Sequence, residues 1–134
     1  MERKDGKIVK LDSEDIVTCL SSSWDGIDYW SEDIVATNAD EFNEYEQNMK
    51  EQFDEVTLES VYAEMLVDGK TLTVYYWDQD GDEETVSEEL TLEKLIEGFR
   101  YAEEHGWDGT LENLDSVVAD TIIQYALFSD IIYG

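Results

Sequence analysis

Chemistry in this chain would have to come from its carboxylates, because other catalytic side chains are scarce. The sequence holds one histidine, His105, and one cysteine, Cys19, against 35 aspartates and glutamates. One cysteine and one histidine cannot build a structural zinc site. His105 lies where a predicted helix ends before Gly106, and Cys19 lies among apolar residues of another, so both are interpreted as structural. Nucleotide-binding glycine loops and nucleophile elbows are also absent. We expect no catalytic residue, no metal site and no cofactor.

The acids that begin at Asp78 match the calcium-binding EF-hand loop only in part. That loop needs glycine at its sixth position and glutamate at its twelfth. Counting from Asp78, Glu89 is twelfth, but Glu83 is sixth and Gly81 comes too early. The flanking residues are typical of strands, so a hairpin turn is predicted instead. Weak cation binding by clustered carboxylates stays open. A carboxylate pair for glycoside hydrolysis also stays open, although the core is small for a sugar cleft.

The acids cluster in two segments, one over residues 40–55 and one over residues 78–89. If these segments lie together, they form a ridge of carboxylates that resembles the phosphates of a nucleic-acid backbone. Whether the ridge is continuous stays open. The predicted partner-binding residues are Asp40, Glu41, Glu44, Glu51, Asp54, Glu55, Asp78, Asp80, Asp82, Glu83, Glu84, Glu88 and Glu89.

The elements that would position these acids can be read from apolar spacing and turn residues. Helices are predicted over residues 13–21, over residues 40–53, from Thr91 to about Glu104, and from about Asp115 onward. Strands are predicted over residues 59–67, over residues 70–77 and near residues 83–87, with turns at residues 68–69 and 80–81. We therefore predict an α+β fold, in which a small antiparallel three-stranded meander has its helices packed on one face.

Aromatic residues in the second predicted strand are candidates for an exposed surface. Most aromatics of a small domain lie in its core. On a strand, however, Tyr75 and Trp77 share one face, while Val74 and Tyr76 share the other. One of these two faces is expected to be partly exposed.

Length and charge limit the classes of function. A chain of 134 residues is expected to form a single domain, residues 1–134. No apolar run is long enough to cross a membrane, and no apolar signal-peptide core follows the basic first residues, so a cytoplasmic protein is expected.

The net charge is −27, whereas solubility needs a magnitude of only about 2 to 8. A basic protein partner, a halophilic origin and hard cations each explain the excess. Direct binding to DNA, RNA or anionic membranes is excluded.

Three segments resemble a known family. They are GIDYWS at residues 26–31, LTLEKLIEGF at residues 90–99 and LDSVVADTIIQYALFSDIIYG at residues 114–134. They are similar to small acidic proteins of phages and integrative elements of Firmicutes, which carry an early glycine–tyrosine–tryptophan segment and a DADAIIQYALFGEIVYG-like end. Ser129 stands where the family has glycine. The family has no established activity, so the resemblance implies a mobile-element origin and transfers no site residue. The motif residues Gly26, Tyr29, Trp30, Gln124, Tyr125 and Phe128 are interpreted as fold determinants.

The mobile-element origin and the phosphate-like arrangement of the acids together suggest an anti-defence protein. The expected function is inhibition of a CRISPR effector or restriction-type enzyme in the host cytoplasm, by an acidic nucleic-acid mimic that occupies the basic DNA- or RNA-binding groove. The alternative is a non-enzymatic interaction or assembly module of the element, whose acidity serves mainly solubility. The target protein and homodimer formation stay open.

Overall fold

The computed structural model describes residues 1–77 and 85–133, which form an α+β fold as predicted. Strands β1 and β2 pair as a small antiparallel sheet, and β3, β4 and β5 form a second antiparallel sheet in that order. The elements in chain order are β1 (Glu2–Lys4), β2 (Lys7–Lys10), α1 (Ser13–Ile27), β3 (Ser31–Ala36), α2 (Ala39–Gln52), α3 (Leu58–Val67), β4 (Leu72–Trp77), β5 (Thr85–Leu90), α4 (Leu92–Glu104), a 3-10 turn (Leu111–Asn113) and α5 (Ser116–Phe128).

The segment over residues 59–67 is helix α3, so its prediction as a strand was wrong. Val61 and Met65 are four residues apart, as are Tyr62 and Leu66, and all four side chains are buried. A helix brings such pairs onto one face, whereas a half-exposed strand buries alternate residues. The spacing of the apolar residues is therefore helical, although valine and tyrosine favour strands.

The ends of α3 also explain the error. Thr57 and Ser60 form a capping box, in which each side chain accepts a hydrogen bond from the other's backbone N–H. Gly69 has φ of +90°, a conformation that suits glycine after a helix. The Asp68–Gly69 pair therefore ends a helix and does not close a hairpin.

The larger sheet has the predicted number of strands but a different first strand. β4 and β5 lie where strands were predicted, and β4 pairs with β5 from Leu72↔Leu90 to Trp77↔Thr85. The other edge is β3, which was not predicted. Since α2 and α3 lie between β3 and β4 in the chain, the sheet is not a simple meander. The predicted turn at residues 80–81 lies outside the described residues.

Three of the four predicted helices, α2, α4 and α5, are confirmed with nearly their predicted bounds. Each begins after a side chain that accepts a hydrogen bond from a backbone N–H of the first turn: Asn38, Thr91 and Asp115, respectively. Gly106 follows α4 with φ of +117°, as its predicted role as a helix end requires. Helix α1 begins as predicted but continues to Ile27, six residues beyond the predicted end.

Helix α5 packs against α1, α4 and β5, and two glycines allow two of these approaches. A side chain on Gly26 of α1 would collide with the carbonyl oxygen of Ser116. One on Gly98 of α4 would collide with the carbonyl oxygen of Ile122. The three helices therefore pack backbone to backbone at these points.

The two faces of β4 differ in exposure, as predicted. Leu72 and Val74 are fully buried, whereas Tyr75 is 39% exposed and Trp77 is 46% exposed. The first pair faces the core together with Ile34 and Leu90. The second pair therefore lies on a face of the sheet that solvent reaches.

Candidate partner-binding surface

Helix α2 begins with an arrangement that suits its acids. The Asn38 side chain accepts a hydrogen bond of 3.1 Å from the backbone N–H of Glu41. Asp40 and Glu41 lie in the first turn and Lys50 lies in the last. Because the helix dipole is positive at the first turn and negative at the last, all three charges stabilise the helix.

One side of α2 attaches to the fold through aromatic contacts. The Phe42 ring meets the Tyr62 ring of α3 edge-on, with centroids 5.7 Å apart. The Tyr45 hydroxyl donates a hydrogen bond of 2.7 Å to Asp68, and this bond raises the pKa of Tyr45 to about 12. No residue of α2 is fully buried. The helix is therefore docked along one stripe, and the rest of it faces solvent.

The solvent side of α2 carries a stripe of carboxylates. Asp40, Glu44 and Glu51 are all exposed, with the uncharged Gln47 between them. At 100° per residue these four positions fall within about 60° of the helix circumference, and they span about 16 Å along the axis. Asp40, Glu44, Gln47 and Glu51 together form the α2 stripe. Asp54 and Glu55, also exposed, follow directly after the helix.

Two other acids of α2 are neutralised by cations. Glu41 lies 2.6 Å from the Lys70 ammonium, and this contact raises the pKa of Lys70. Glu46 lies 3.5 Å from Lys50, one helical turn away. Of the predicted binding residues on α2, Glu41 is therefore part of an ion pair within the chain, whereas Asp40, Glu44 and Glu51 form no described salt bridge.

Glu88 and Glu89 of β5 lie away from α2, because α2 packs against β3 at the other edge of the sheet. Their side chains also point to opposite faces. Glu88 pairs with Val74 on the core-facing side and is half-buried, whereas Glu89 pairs with Thr73 and is exposed. The described part of the chain therefore does not join these two acids to the α2 stripe. Five other predicted site residues, Asp78, Asp80, Asp82, Glu83 and Glu84, lie outside the described residues.

A second helix repeats the acid spacing of α2 with one difference. Glu93, Glu97 and Glu104 of α4 are exposed and stand at the same intervals as Asp40, Glu44 and Glu51. The position that corresponds to Gln47 is Arg100, whose Nε donates to the carbonyl oxygen of Ile8. A cation therefore lies within the α4 series, and only an amide lies within the α2 stripe.

The exposed face of the sheet combines aromatic rings with acids. Tyr75 pairs across the sheet with Asp33 on one side and Ser87 on the other, and both partners are exposed. Glu89 lies on the same face, two residues from Ser87. Trp and Tyr are common anchors of protein interfaces. This face is a second candidate for binding, distinct from the α2 stripe.

Cys19 and His105 occupy the structural positions predicted for them. Cys19 is fully buried, and burial raises the pKa of its thiol to about 12. His105 caps α4, with its Nδ1 2.8 Å from the carbonyl oxygen of Tyr101.

Within residues 1–77 and 85–133, no group of three or more histidine, cysteine or acidic side chains is arranged to hold a metal ion. In the same part of the chain, no helix is long and apolar enough to cross a membrane.

A partly buried polar network around Asp120 was not predicted from spacing. Asp120 of α5 accepts hydrogen bonds from the Tyr29 hydroxyl (2.9 Å), the Trp30 indole N–H (2.7 Å) and the Gln124 amide (2.9 Å). The Trp30 ring is buried and stacks on Tyr133, with centroids 5.3 Å apart. These contacts give several of the motif residues a structural role. The acid–amide pair on one helix face was visible in the sequence, but its partners lie about 90 residues away.

Comparisons of the chain with known protein families, with curated proteins and with solved structures found no match.

Proposed function

We propose that this protein is a mobile-element inhibitor of a host defence protein. It would act in the host cytoplasm by occupying the basic nucleic-acid groove of a CRISPR effector or restriction-type enzyme, without catalysis. The observation that carries the proposal is the α2 stripe, an exposed series whose three carboxylates form no salt bridge with a described lysine or arginine.

The row of like charges along one face of α2 supports mimicry. Its three carboxylates lie at intervals of about 6 and 10 Å along the helix axis, a mean of about 8 Å. One strand of DNA carries a phosphate about every 3.4 Å along the helix axis. The stripe is therefore about 2.4 times sparser in charge than one DNA strand. A groove lined with lysine and arginine for phosphates would find a row of negative charges along α2, at less than half the phosphate density.

The net charge of −27 acts over a longer range than the stripe. A strongly negative surface attracts a basic partner before contact and raises the association rate, especially at low salt. The stripe would then fix where the partner binds. Binding should consequently weaken steeply as salt rises.

The test is a pull-down from the lysate of a Firmicute that carries defence systems, with nucleic acid and salt as competitors. The protein should retain a nucleic-acid-binding protein that added DNA or high salt releases. A variant with Asp40→Asn, Glu44→Gln and Glu51→Gln should retain at least tenfold less of it. The matched control, Glu93→Gln, Glu97→Gln and Glu104→Gln, removes the same charge at the same spacing and should bind as the wild type does. If both variants retained equally little of the partner, the loss of net charge alone would explain the effect. That result would contradict a binding site on α2.

A second candidate function is a protein-interaction or assembly module of the element. The observation that favours it is the exposure of Tyr75 and Trp77 on one face of the sheet. We infer that the helices pack on the other face, which leaves this one free for a partner. Trp77→Ala should then abolish partner capture, salt should have little effect, and the α2 variant should bind normally.

A further inference from the structure

A cleft of about 750 Å³ opens between α4, α5 and the loop that joins them. This volume lies within the range of small-molecule sites. Tyr101 and His105 line it from α4, Asp108 and Asn113 line it from the loop, and Val117 lines it from α5. The α2 stripe does not contribute to it.

Most side-chain donors of the cleft are already bound to acceptors of the protein. The Trp107 indole N–H donates to the carbonyl oxygen of Thr110 at 3.2 Å. The Thr121 hydroxyl donates to the carbonyl oxygen of Val117 at 3.0 Å. The Asn113 amide nitrogen donates to the Asp108 carboxylate and to the Thr110 hydroxyl. Only the Tyr101 hydroxyl, which can donate or accept, has no described partner among the lining side chains.

The acceptors of the cleft retain capacity. A carbonyl oxygen can only accept, so the contact between His105 Nδ1 and the Tyr101 carbonyl places a proton on Nδ1 and leaves Nε2 of the neutral ring as an acceptor. A carboxylate also only accepts, so Asn113 turns its nitrogen toward Asp108 and keeps its oxygen as an acceptor. The Asp108 carboxylate has room for one further donor, since the two hydrogen bonds from Thr110 and the one from Asn113 use three of its four acceptor sites. A ligand that matches these groups must be rich in N–H or O–H donors.

The charge of the cleft is negative. Hydrogen bonds from the backbone N–H and the hydroxyl of Thr110, 2.9 and 2.8 Å long, hold the pKa of Asp108 below its usual range. Among the described lining residues there is no lysine or arginine. A cation is therefore favoured over a neutral molecule or an anion.

The remaining lining is apolar and aromatic. Val117 is 71% exposed, an unusual exposure for an apolar side chain of a helix, and Ile131 lines the cleft nearby. The Tyr101 ring stacks on His105 and on Tyr125, with centroids 4.0 and 4.2 Å away, so Tyr101 and His105 add aromatic surface to the lining.

We propose that this cleft binds a small organic cation in which a planar, donor-rich group, a guanidinium or an amidinium, is joined to an apolar body. The planar group meets Asp108, Asn113 and His105, and the apolar body covers Val117 and Ile131. This site is independent of the mimicry proposed for α2.

The probe for the test is benzamidine, which joins an amidinium to a phenyl ring. His105 is the one histidine of the chain, so its imidazole NMR signals are assigned without ambiguity. In about 150 mM salt, which screens unspecific attraction, benzamidine should shift these signals with saturation. Benzoate and benzamide, of the same shape but anionic and neutral, should not.

Two lysine variants serve as a matched pair, because each adds one positive charge. Val117→Lys places it at the cleft, on a side chain exposed enough to leave the fold intact, and should weaken benzamidine binding at least tenfold. Gln47→Lys places it on α2, which packs against α3 and β3, and should leave binding unchanged. Asp108→Asn should weaken binding about fivefold while benzamide stays unbound.

Three results would overturn the proposal. They are binding of benzoate or benzamide as strong as that of benzamidine, equal effects of the two lysine variants, and shifts that do not saturate. The last would show unspecific pairing with the acidic surface.

Discussion

At the scale of single residues, Gln124 holds the C-terminal residues to the fold. Its side chain is 1% exposed. Its Oε1 accepts hydrogen bonds from the backbone N–H groups of Ile132 (3.1 Å) and Tyr133 (2.9 Å), while its nitrogen donates to Asp120 (2.9 Å). Both ends of one buried amide are therefore used.

Gln124→Leu should destabilise the protein by about 2 to 4 kcal/mol. Leucine fills similar space, but it leaves two backbone N–H groups without their acceptor, and each costs about 1 to 3 kcal/mol. Urea unfolding measures the change. The control, Val117→Ala at a 71% exposed position, should change stability by less than about 0.5 kcal/mol. Equal unfolding midpoints for Gln124→Leu and the wild type would refute the structural role.

Cys19 predicts a pH dependence of stability. Burial raises its pKa to about 12, whereas an unfolded cysteine ionises near about 8.5. The unfolded chain therefore loses this proton first, and the contribution of Cys19 is full below about pH 8.5 and declines toward pH 12. Between pH 8 and pH 10 the wild type should lose about 2 kcal/mol more stability than Cys19→Ala. Parallel pH profiles from denaturant unfolding would contradict this.

Some of these residues could be predicted and others could not. The structural roles of Cys19 and His105 follow from the scarcity of partners in the composition. The contacts of Asp120 with Tyr29 and Trp30 join positions about 90 residues apart, and no local pattern encodes them. The spare acceptors of the cleft depend on hydrogen-bond directions that only the fold fixes.

At the scale of elements, two glycines set how helices pack. Gly98 of α4 faces the carbonyl oxygen of Ile122 in α5, so a methyl group there cannot fit without separating the two helices. Gly26 plays the same part where α1 meets α5 at Ser116.

Gly98→Ala should destabilise the protein by about 1 to 3 kcal/mol, the usual cost of overpacking a core. In an open helix the same substitution stabilises by up to about 1 kcal/mol, so the sign of the change is informative. Thermal unfolding followed by circular dichroism measures it. A raised melting temperature would show that α4 and α5 do not approach as closely as described.

Helix caps made most helices predictable, and short apolar runs made strands uncertain. Thr91 and Asp115 lie before periodic apolar residues, and both begin helices. Residues 59–67 form a short run in which helix and strand cannot be separated by composition alone. The exposed acids of α2 could be predicted from its period, but the separation of Glu88 and Glu89 from α2 depends on the strand order.

At the scale of the whole molecule, charge repulsion opposes folding. A net charge of −27 on 7699 Å² of accessible surface is about one net charge per 285 Å². The four cations of the first ten residues reduce this repulsion only locally. One of them, Arg3, forms an ion pair with Glu103 of α4.

Added salt should therefore stabilise the free protein. The Debye length falls from about 30 Å at 0.01 M to about 3 Å at 1 M, which screens the repulsion between exposed acids. The urea midpoint should rise between 10 mM and 500 mM sodium chloride. A constant or falling midpoint would mean that cations neutralise most of the exposed acids. The effective charge of the surface would then be less negative than the formal net charge.

The most direct measurement is the displacement of nucleic acid from the retained partner by the wild type and by Gln47→Arg. This substitution places a cation within the α2 stripe and so reproduces the pattern of α4, where Arg100 stands between Glu97 and Glu104. We predict that the wild type displaces nucleic acid, that its apparent affinity falls steeply with salt, and that Gln47→Arg is at least tenfold weaker. A partner that binds nucleic acid and this protein at the same time, or that binds both forms equally, would contradict nucleic-acid mimicry by α2.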